Sequence, residues 1–363
     1  MTDQSTKPGV PAQSPPVEPA ITKDAGEAAT PQRQSWWRGD GAEPVRRNLG
    51  LVGVLVILVI IGIATRPDLY GNPTWVTNNV WTILQQASAI GVVTVGMTFV
   101  IIGGGIDLSV GAIVAVAGVW STTLATQSYG AGGMIFTAIV VGVVVGLING
   151  VLISYGKLVP FIATLAMMVA ARGLAAQISG KQTQVSSNTT INDIASTRVF
   201  GIPILVIILA LVVAAGWVLL NRTTFGRRTV AIGGNVEAAR LAGINVRLHT
   251  VLLYALSGLC CGIAAIMLTS QATSAQAAMA NLYELDAIAA AIIGGTLLSG
   301  GRGTIVGALF GVLVFSTITN LFAINNLSTE AQNMVKGGII VAAVLIQQFR
   351  YKSLTHLLGR TSR

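Results

Sequence analysis

Runs of apolar residues follow one another along this chain from about residue 49 to residue 349. Most of them approach the roughly 20 residues that an apolar α-helix needs to cross a bilayer. We therefore predict an all-α, polytopic membrane protein with about ten transmembrane helices, some of them short or broken. The predicted helices are 49–65, 80–102, 108–127, 133–154, 159–178, 203–220, 249–269, 284–297, 304–324 and 332–349.

The eighth run, 284–297, is too short to cross the bilayer comfortably, because it spans only about 21 Å at 1.5 Å per residue. It is rich in alanine and isoleucine and contains Gly294-Gly295. This pattern predicts a broken or re-entrant helix, and the irregular backbone of such a helix needs protein or water around it.

Composition supports a membrane protein and separates the ends of the chain from its middle. Hydrophobic residues make up 53% of the chain and charged residues 10%, whereas soluble domains carry about 25% charged residues. Residues 1–45 hold most of the prolines and little apolar periodicity, which predicts a disordered tail. We assign 46–352 to a transmembrane domain with a long loop at 221–248, and 353–363 to a C-terminal tail.

Basic residues orient the predicted spans. An even number of spans places both termini on one side, and the loops of that side carry most of the lysines and arginines. The opposite loops carry only Arg66, Lys181 and Arg198. Because basic loops stay in the cytoplasm, we predict that both termini are cytoplasmic. The same distribution accounts for the net charge of +9 without a nucleic-acid partner.

A glycine-rich segment at 101–111, IIGGGIDLSVG, interrupts the apolar sequence. Consecutive glycines weaken a helix and allow the backbone to turn. Asp107 then lies near membrane depth, where a carboxylate is costly, and it is a plausible cap for a helix that restarts at Leu108. Two interpretations stay open: a broken helix beside a solute pathway, or a tight cytoplasmic turn with a solvated Asp107.

The segment at 292–303, IIGGTLLSGGRG, repeats the elements I-I-G-G and L-S of the first segment, with one residue fewer between them. Glycine-interrupted helices at corresponding places indicate an internal repeat and a central site. Chance similarity between two glycine-rich turns is the alternative. The candidate pathway residues of the two segments are Gly104, Gly105, Asp107, Ser109, Gly294, Gly295 and Ser299.

Other glycines recur at four-residue spacing, which places them on one helix face and predicts close helix packing. These positions are Gly142, Gly146, Gly150, Gly303, Gly307 and Gly311. A few charged residues also fall within the predicted membrane region, and for each one alone we expect the side chain to extend to the interface. These are Arg172, Glu284, Asp286, Arg302 and Lys336.

The basic loop at 221–248 contains a short helix signal. Asn235 is a good N-cap and Gly243 a good C-terminal stop, so the sequence predicts a helix over 236–242. A helix this short is unstable alone and needs a partner surface, or it lies on the bilayer as an interfacial helix.

Several segments, in order, resemble the membrane permease subunit of bacterial ribose-type ABC sugar importers, within the branched-chain amino acid and sugar permease superfamily. The resemblance covers about 75–349. It rests on TILQQ at 82–86, GMT at 96–98, GGIDLSVG at 104–111, PFIATL at 160–165, ARG at 171–173, NRTTFGR at 221–227, AIGGNVEAARLAGI at 231–244, YELDAIAA at 283–290 and IGGTLLSGGRG at 293–303.

This resemblance implies a permease domain that is not an enzyme, with no catalytic residue, no metal site and no cofactor of its own. ATP would bind to separate ATP-binding cassette subunits, and an extracytoplasmic protein would deliver the sugar. A second permease subunit, forming a homodimer, would complete the pathway in the bacterial inner membrane. The resemblance also implies that a coupling helix contacts the ATPase through Asn235, Glu237, Ala238, Ala239, Arg240 and Gly243.

Alternative functions stay open at this point. An ion- or proton-coupled secondary transporter would need paired buried carboxylates or a proton relay, for which Asp107 is the serious candidate. A non-transporting scaffold would not require broken helices at matching places. Among importers, a permease for branched-chain amino acids or another small polar solute is the alternative.

We predict that the purified chain alone hydrolyses no ATP, because it has no G-x-x-x-x-G-K-[ST] segment to hold phosphate groups. ATPase activity of the isolated chain and of the complex reconstituted with its ATPase subunits provides the comparison. Robust hydrolysis by the isolated chain contradicts the assignment of ATP to a partner.

Overall fold

The computed structural model describes the backbone of residues 43–358; residues 1–42 and 359–363 lie outside it, and with them nearly all of the predicted N-terminal tail and the end of the C-terminal tail. Helices dominate, in agreement with the sequence. They are α1 (Glu43–Thr65), α2 (Pro67–Tyr70), α3 (Pro73–Ile102), α4 (Val110–Ser121), α5 (Leu124–Gln127), α6 (Gly130–Ser154), α7 (Pro160–Ile178), α8 (Thr189–Asp193), α9 (Ile204–Arg222), α10 (Thr224–Gly234), α11 (Val236–Leu241), α12 (Val246–Ala272), α13 (Tyr283–Ile293), α14 (Ile305–Ile324) and α15 (Thr329–Leu358).

Among the described residues, seven helices are long and apolar enough to cross a membrane. They are α1, α3, α6, α7, α9, α12 and α14. Helix α4 is a shorter apolar helix of 12 residues, and α13 has 11 residues. With α15, these helices correspond to the ten predicted runs, and the eighth run is short as expected.

The helices run between two ends of the molecule. One end, which we call the strand end, carries α8 and four two-residue strands: β1 (Gln184–Val185), β2 (Arg198–Val199), β3 (Ile202–Pro203) and β4 (Ser274–Ala275). Strand β1 pairs antiparallel with β4, and β2 with β3. The other end, which we call the glycine-turn end, carries the turns at 103–105 and 294–303 together with α10 and α11.

The predicted helix over 108–127 is wrong in its extent, because the structure has α4 and α5 there instead. The Thr122 hydroxyl donates to the carbonyl of Gly118 at 3.0 Å, and Thr123 caps α5 by accepting from the Thr126 amide. Such side-chain bonds compete with helix continuation. Helix α3 begins seven residues before its prediction, because Asn72 caps it and Pro73 occupies its first turn.

Glycine stripes set the central helix packing. A Cβ atom on Gly146 would overlap the carbonyl of Tyr254 in α12, and one on Gly150 would lie 2.6 Å from the Cα of Val251. In the same way, a Cβ on Gly311 of α14 would overlap the carbonyl of Ala290 in α13. The predicted close packing is therefore confirmed, and it is intramolecular at these positions.

Partly buried charged side chains are paired inside the protein, and the sequence did not predict these pairings. Lys336 Nζ lies 3.1 Å from Asp286 Oδ2, which joins α15 to α13. The guanidinium of Arg172 donates to the carbonyls of Ala277 and Met279, each at 2.7 Å. Pairing is cheaper than leaving a charge uncompensated in a medium of low dielectric.

We predict that the strand end and the glycine-turn end face opposite sides of the membrane, with the latter in the cytoplasm. Single cysteines at the exposed positions Thr189 and Leu241, in a Cys260→Ala/Cys261→Ala background, test this with an impermeant maleimide on intact cells. We expect labelling of Thr189→Cys and none of Leu241→Cys until the membrane is opened. Labelling of Leu241→Cys from outside overturns the orientation.

Candidate functional site: the two glycine turns and the loop that meets them

The first glycine turn ends α3 in a defined way. Gly104 has a φ of +86°, which glycine adopts without strain. Its amide donates to the carbonyl of Ile101 at 2.9 Å, and the amide of Gly105 donates to that of Val100 at 2.9 Å. These two bonds form a Schellman turn, which satisfies carbonyl groups that a helix end leaves unpaired.

The second glycine turn has the same geometry. Gly295 also has a φ of +86°. Its amide donates to the carbonyl of Ile292 at 2.8 Å, and the amide of Thr296 donates to that of Ala291 at 2.9 Å. The similarity between the two sequence segments therefore corresponds to the same turn in the structure, although the chain takes more residues to reach α14 than to reach α4.

The two turn regions meet each other and α10 at what we call the glycine junction: Ile102–Gly104, Gly233–Gly234 and Gly300–Gly301. The amide of Gly301 donates to the carbonyl of Ile102 at 2.8 Å. A Cβ on Gly233 would overlap that same carbonyl, and one on Gly300 would lie 3.0 Å from the Cα of Gly104. Only glycine allows three backbones to approach this closely.

Asp107 lies in the interior and is fully buried. Its Oδ1 accepts from the Ser109 hydroxyl at 2.6 Å and from the Ser109 amide at 3.0 Å, and its Oδ2 accepts from Ser257 at 3.0 Å. Asn149 donates to the Ser109 hydroxyl at 2.8 Å. This network joins the break between α3 and α4 to α6 and α12, and it is inconsistent with the alternative of a solvated cap.

Asp107 also does not start α4 at Leu108, since α4 begins at Val110. Its bond to the Ser109 amide nevertheless satisfies a donor immediately before that helix, which is the physical role of a cap.

Helix α11 has the boundaries that its sequence predicts, to within one residue. The Asn235 side chain accepts from the Ala238 amide at 2.9 Å. Gly243 has a φ of +80°, and the amide of Ile244 donates to the carbonyl of Ala239 at 3.1 Å. Both ends of this six-residue helix are therefore fixed by local hydrogen bonds.

One face of α11 is anchored and the other is exposed. Ala239 is buried. Leu241, by contrast, is 82% exposed and Val236 49% exposed. Glu237 and Arg240 form an exposed ion pair of 2.8 Å. Leu241, Val236 and the ion pair therefore form the solvent-exposed surface of α11.

Helix α10 connects α11 to the core. The Phe225 ring lies 4.5 Å from the His249 ring and 6.0 Å from the Phe99 ring, measured between centroids. The Thr229 hydroxyl lies 2.8 Å from His249 Nε2. Helix α10 packs against both α3 and α12 and carries Gly233, so it connects α11 to the glycine junction through packed groups.

A cavity of about 270 Å³ lies between the first turn and this loop. Gly104 and Gly105 line it together with Ile232, Val236 and Tyr254. The Tyr254 hydroxyl donates to the carbonyl of Ile106 at 3.2 Å. The cavity therefore separates α11 from the layer that holds Asp107.

Comparison with known proteins places the chain among transporters. The family profile described as branched-chain amino acid transport system / permease component matches residues 79–344. The chain belongs to this permease family. Members are the membrane components of ABC importers and catalyse no reaction.

Individual relatives of the permease extend this result. It is 40% identical over 318 residues, 84% of this chain and 94% of the relative, to the ribose import permease protein RbsC of Bacillus subtilis (strain 168). It is 36% identical to RbsC of Escherichia coli (strain K12), over 82% of this chain and 92% of the relative. It is 34% identical to the L-arabinose ABC transporter permease protein AraH of Azospirillum brasilense, over 92% of this chain and 96% of the relative. No solved structure matches the chain.

The candidate pathway residues of the permease do not form one cluster. Gly104 and Gly105 border the cavity, whereas Asp107 and Ser109 lie in the interior. The remaining ones belong to the second turn, where Gly294 packs against Gly307 and Ser299 is exposed. Their role in solute passage stays a prediction.

Sequence reasoning missed the residues that bring these elements together. Gly233 and Gly301 complete the glycine junction, and Asn149 and Ser257 complete the Asp107 network. Arg47 was also missed; it donates to the carbonyl of Gly295 at 3.3 Å and to the Thr304 hydroxyl at 3.1 Å. Only the glycine content of 231–244 and 293–303 gave a signal for any of them.

We predict that Gly233→Ala impairs the permease and Gly234→Ala does not. Both glycines end α10, so both substitutions change helix propensity similarly. A Cβ at 233 overlaps the Ile102 carbonyl, whereas a Cβ at 234 meets no atom within 4 Å. We expect a destabilisation of about 1–3 kcal/mol for Gly233→Ala alone, measured as a lower thermal midpoint of the purified complex, together with reduced solute uptake. Equal behaviour of the two variants contradicts the close approach at Gly233.

Proposed function

We propose that this permease forms the translocation pathway for a monosaccharide, driven by ATP hydrolysis in partner subunits. Its relatives include permeases named for ribose and L-arabinose import. The observation that carries the coupling part of this proposal is α11, a capped six-residue helix with an exposed Leu241, connected by α10 to both broken-helix turns.

The proposed cycle starts at α11 on the cytoplasmic side. ATP binds to the partner ATPase subunits, and their closure moves α11 and α10. Gly233 touches the last carbonyl of α3, and that carbonyl accepts from Gly301, so the displacement reaches both glycine turns at once. Packed contacts of this kind favour two discrete arrangements over continuous bending. We propose that these arrangements open the pathway outward and inward.

A second copy of the permease completes the pathway in the proposed importer. The strand end faces the extracytoplasmic binding protein that delivers the sugar, and both termini lie in the cytoplasm of a bacterium. The cytoplasmic side would also hold the parts of 1–45 and 353–363 beyond the described residues.

A permease for branched-chain amino acids is the second candidate, because the family description names that solute class. Uptake of radiolabelled D-ribose, L-arabinose, D-galactose and L-leucine by the complete transporter separates the two. Leucine uptake without sugar uptake would replace the monosaccharide proposal.

The sharpest test of coupling is Glu237→Arg. The change places two positive charges at 237 and 240, breaks the 2.8 Å ion pair, and puts a cation near the helix N-terminus, where the dipole favours an anion. We expect loss of sugar uptake and weaker ATPase association, measured by uptake and by pull-down, while the permease still inserts.

The double variant Glu237→Arg/Arg240→Glu separates a local effect from a partner contact, because it keeps an ion pair within α11. We expect it to remain defective, since the partner still meets reversed charges. Thr329→Arg, exposed at the strand end, is the matched control. Normal uptake and a retained ATPase in the Glu237→Arg variant refute the coupling role of α11.

A further inference from the structure

A second cavity, of about 280 Å³, lies at the strand end, far along the chain from both glycine turns. Its wall is the last turn of α12, its cover is the segment 273–282, and Tyr283 at the start of α13 closes one side. The side chains that matter for the argument are Leu268, Gln271, Ser274, Gln276, Met279 and Tyr283. We call this cavity the strand-end cleft.

The cover of the cleft is held in an unusual backbone conformation. Thr273, Ala280 and Leu282 have φ values of +50°, +53° and +66°, a region that costs energy for residues other than glycine. Such a conformation persists only when the surroundings impose it. Here β4 pairs with β1, and the Thr273 carbonyl accepts from the Ser186 amide at 2.9 Å.

Arg172, in α7, holds the segment 273–282 in place through hydrogen bonds. Besides its 2.7 Å bonds to the Ala277 and Met279 carbonyls, it donates to the Ala280 carbonyl at 3.3 Å. Glu284 is buried nearby, and a Cβ on Gly111 would lie 2.6 Å from its Oε2 and 3.3 Å from Arg172 Nη2. Gly111 thus leaves the space that the Glu284 carboxylate and the Arg172 guanidinium occupy.

The amides that line the cleft are also held in place. Gln271 Nε2 donates to the Gln85 carbonyl at 3.1 Å, and Gln276 Oε1 accepts from the Thr183 hydroxyl at 3.4 Å. These bonds orient both side chains and leave Gln271 Oε1 and Gln276 Nε2 without a hydrogen bond to the described residues. The cleft therefore offers an acceptor and a donor on a preformed frame.

The chemistry of the lining is neutral throughout. The cleft combines two amides and a hydroxyl with an aromatic ring and apolar side chains, and no charged side chain lines it. Amides pair with hydroxyl groups, which both donate and accept. The ammonium and carboxylate of an amino acid would lose hydration there without a counter-charge, which is costly.

We propose that the strand-end cleft is a binding subsite for a neutral monosaccharide, occupied as the sugar enters the permease. Gln271 and Gln276 hydrogen-bond the sugar hydroxyls, the Tyr283 ring contacts its apolar face, and Arg172 is a positioning residue that fixes the cover. The assignment of a sugar rests on the proposed import function, whereas the position of the subsite rests on the cleft itself.

Thiol protection tests the subsite directly in the complete transporter, reconstituted in nanodiscs without binding protein. Ser274→Cys lies in the cleft, and Thr189→Cys lies at the same end outside it; both are made in the Cys260→Ala/Cys261→Ala background. D-ribose, L-arabinose and D-galactose are added singly at millimolar concentration. We expect the transported sugar to slow maleimide labelling of Ser274→Cys about threefold or more and to leave Thr189→Cys unchanged.

Uptake provides a second readout. We expect Gln271→Leu and Gln276→Leu to lower the maximal uptake rate about tenfold each, because each loses a hydrogen bond to the sugar. Gln177→Leu, exposed at the same end of α7, is the matched control and should behave as the unaltered transporter.

The outcomes separate the two proposals. If the unaltered transporter takes up a sugar but that sugar protects neither cysteine, or protects both equally, the subsite is refuted and the import function stands. If uptake of every tested sugar is absent and leucine is transported, the monosaccharide function fails and the sugar assignment of the cleft fails with it.

Discussion

A helix that ends inside a membrane-embedded bundle must find donors for its last carbonyl groups, and this constraint organises the glycine-turn end. In water the solvent supplies such donors, but where a helix end is buried, as at Ile101 and Ile102, protein must do so. Helices α3 and α13 both meet the requirement with a Schellman turn at a glycine of φ +86°. The Ile102 carbonyl receives its donor from Gly301, so the end of one broken helix is tied to the residues that follow the other.

The two turns share a conformation but not a neighbour. Gly104 lies beside α10, so the first turn is in contact with the loop that carries α11. Gly295 lies beside the guanidinium of Arg47, so the second turn is in contact with α1. The same turn conformation is therefore held by different neighbours: the first turn contacts the loop that carries α11, and the second contacts α1.

Much of this architecture is predictable from sequence because its cause is local. Apolar runs determine where the long helices lie, and the cap at Asn235 with the stop at Gly243 determines α11. The predicted helix at 108–127 fails because hydroxyl bonds at Thr122 and Thr123 end one helix and start another. These threonine hydroxyls compete locally with the backbone hydrogen bonds of the helix. The mean hydropathy of the whole run does not reveal this competition.

The periodicity of the sequence does not predict which side chains pair when they are far apart along the chain. Asp286 and Lys336 are 50 positions apart, and considered singly each is expected to extend to the interface. Asp107 likewise depends on Asn149 and Ser257 from two other helices. The cost of a buried charge predicts that a partner exists, but only the helix packing determines which residue provides it.

The placement of charge at the strand end follows the same rule and bears on solute class. Arg172 and Glu284 lie behind the cover of the cleft, where Arg172 donates to the carbonyl groups of Ala277 and Met279. These charged groups therefore do not line the cleft. The lining of the cleft presents the amides of Gln271 and Gln276 and the hydroxyl of Ser274. A cleft without charged lining suits a neutral, hydroxyl-rich solute better than a zwitterion, because the charges of a zwitterion would lose water there without gaining a counter-charge. This difference is the physical basis for favouring sugars over amino acids within a family that transports both.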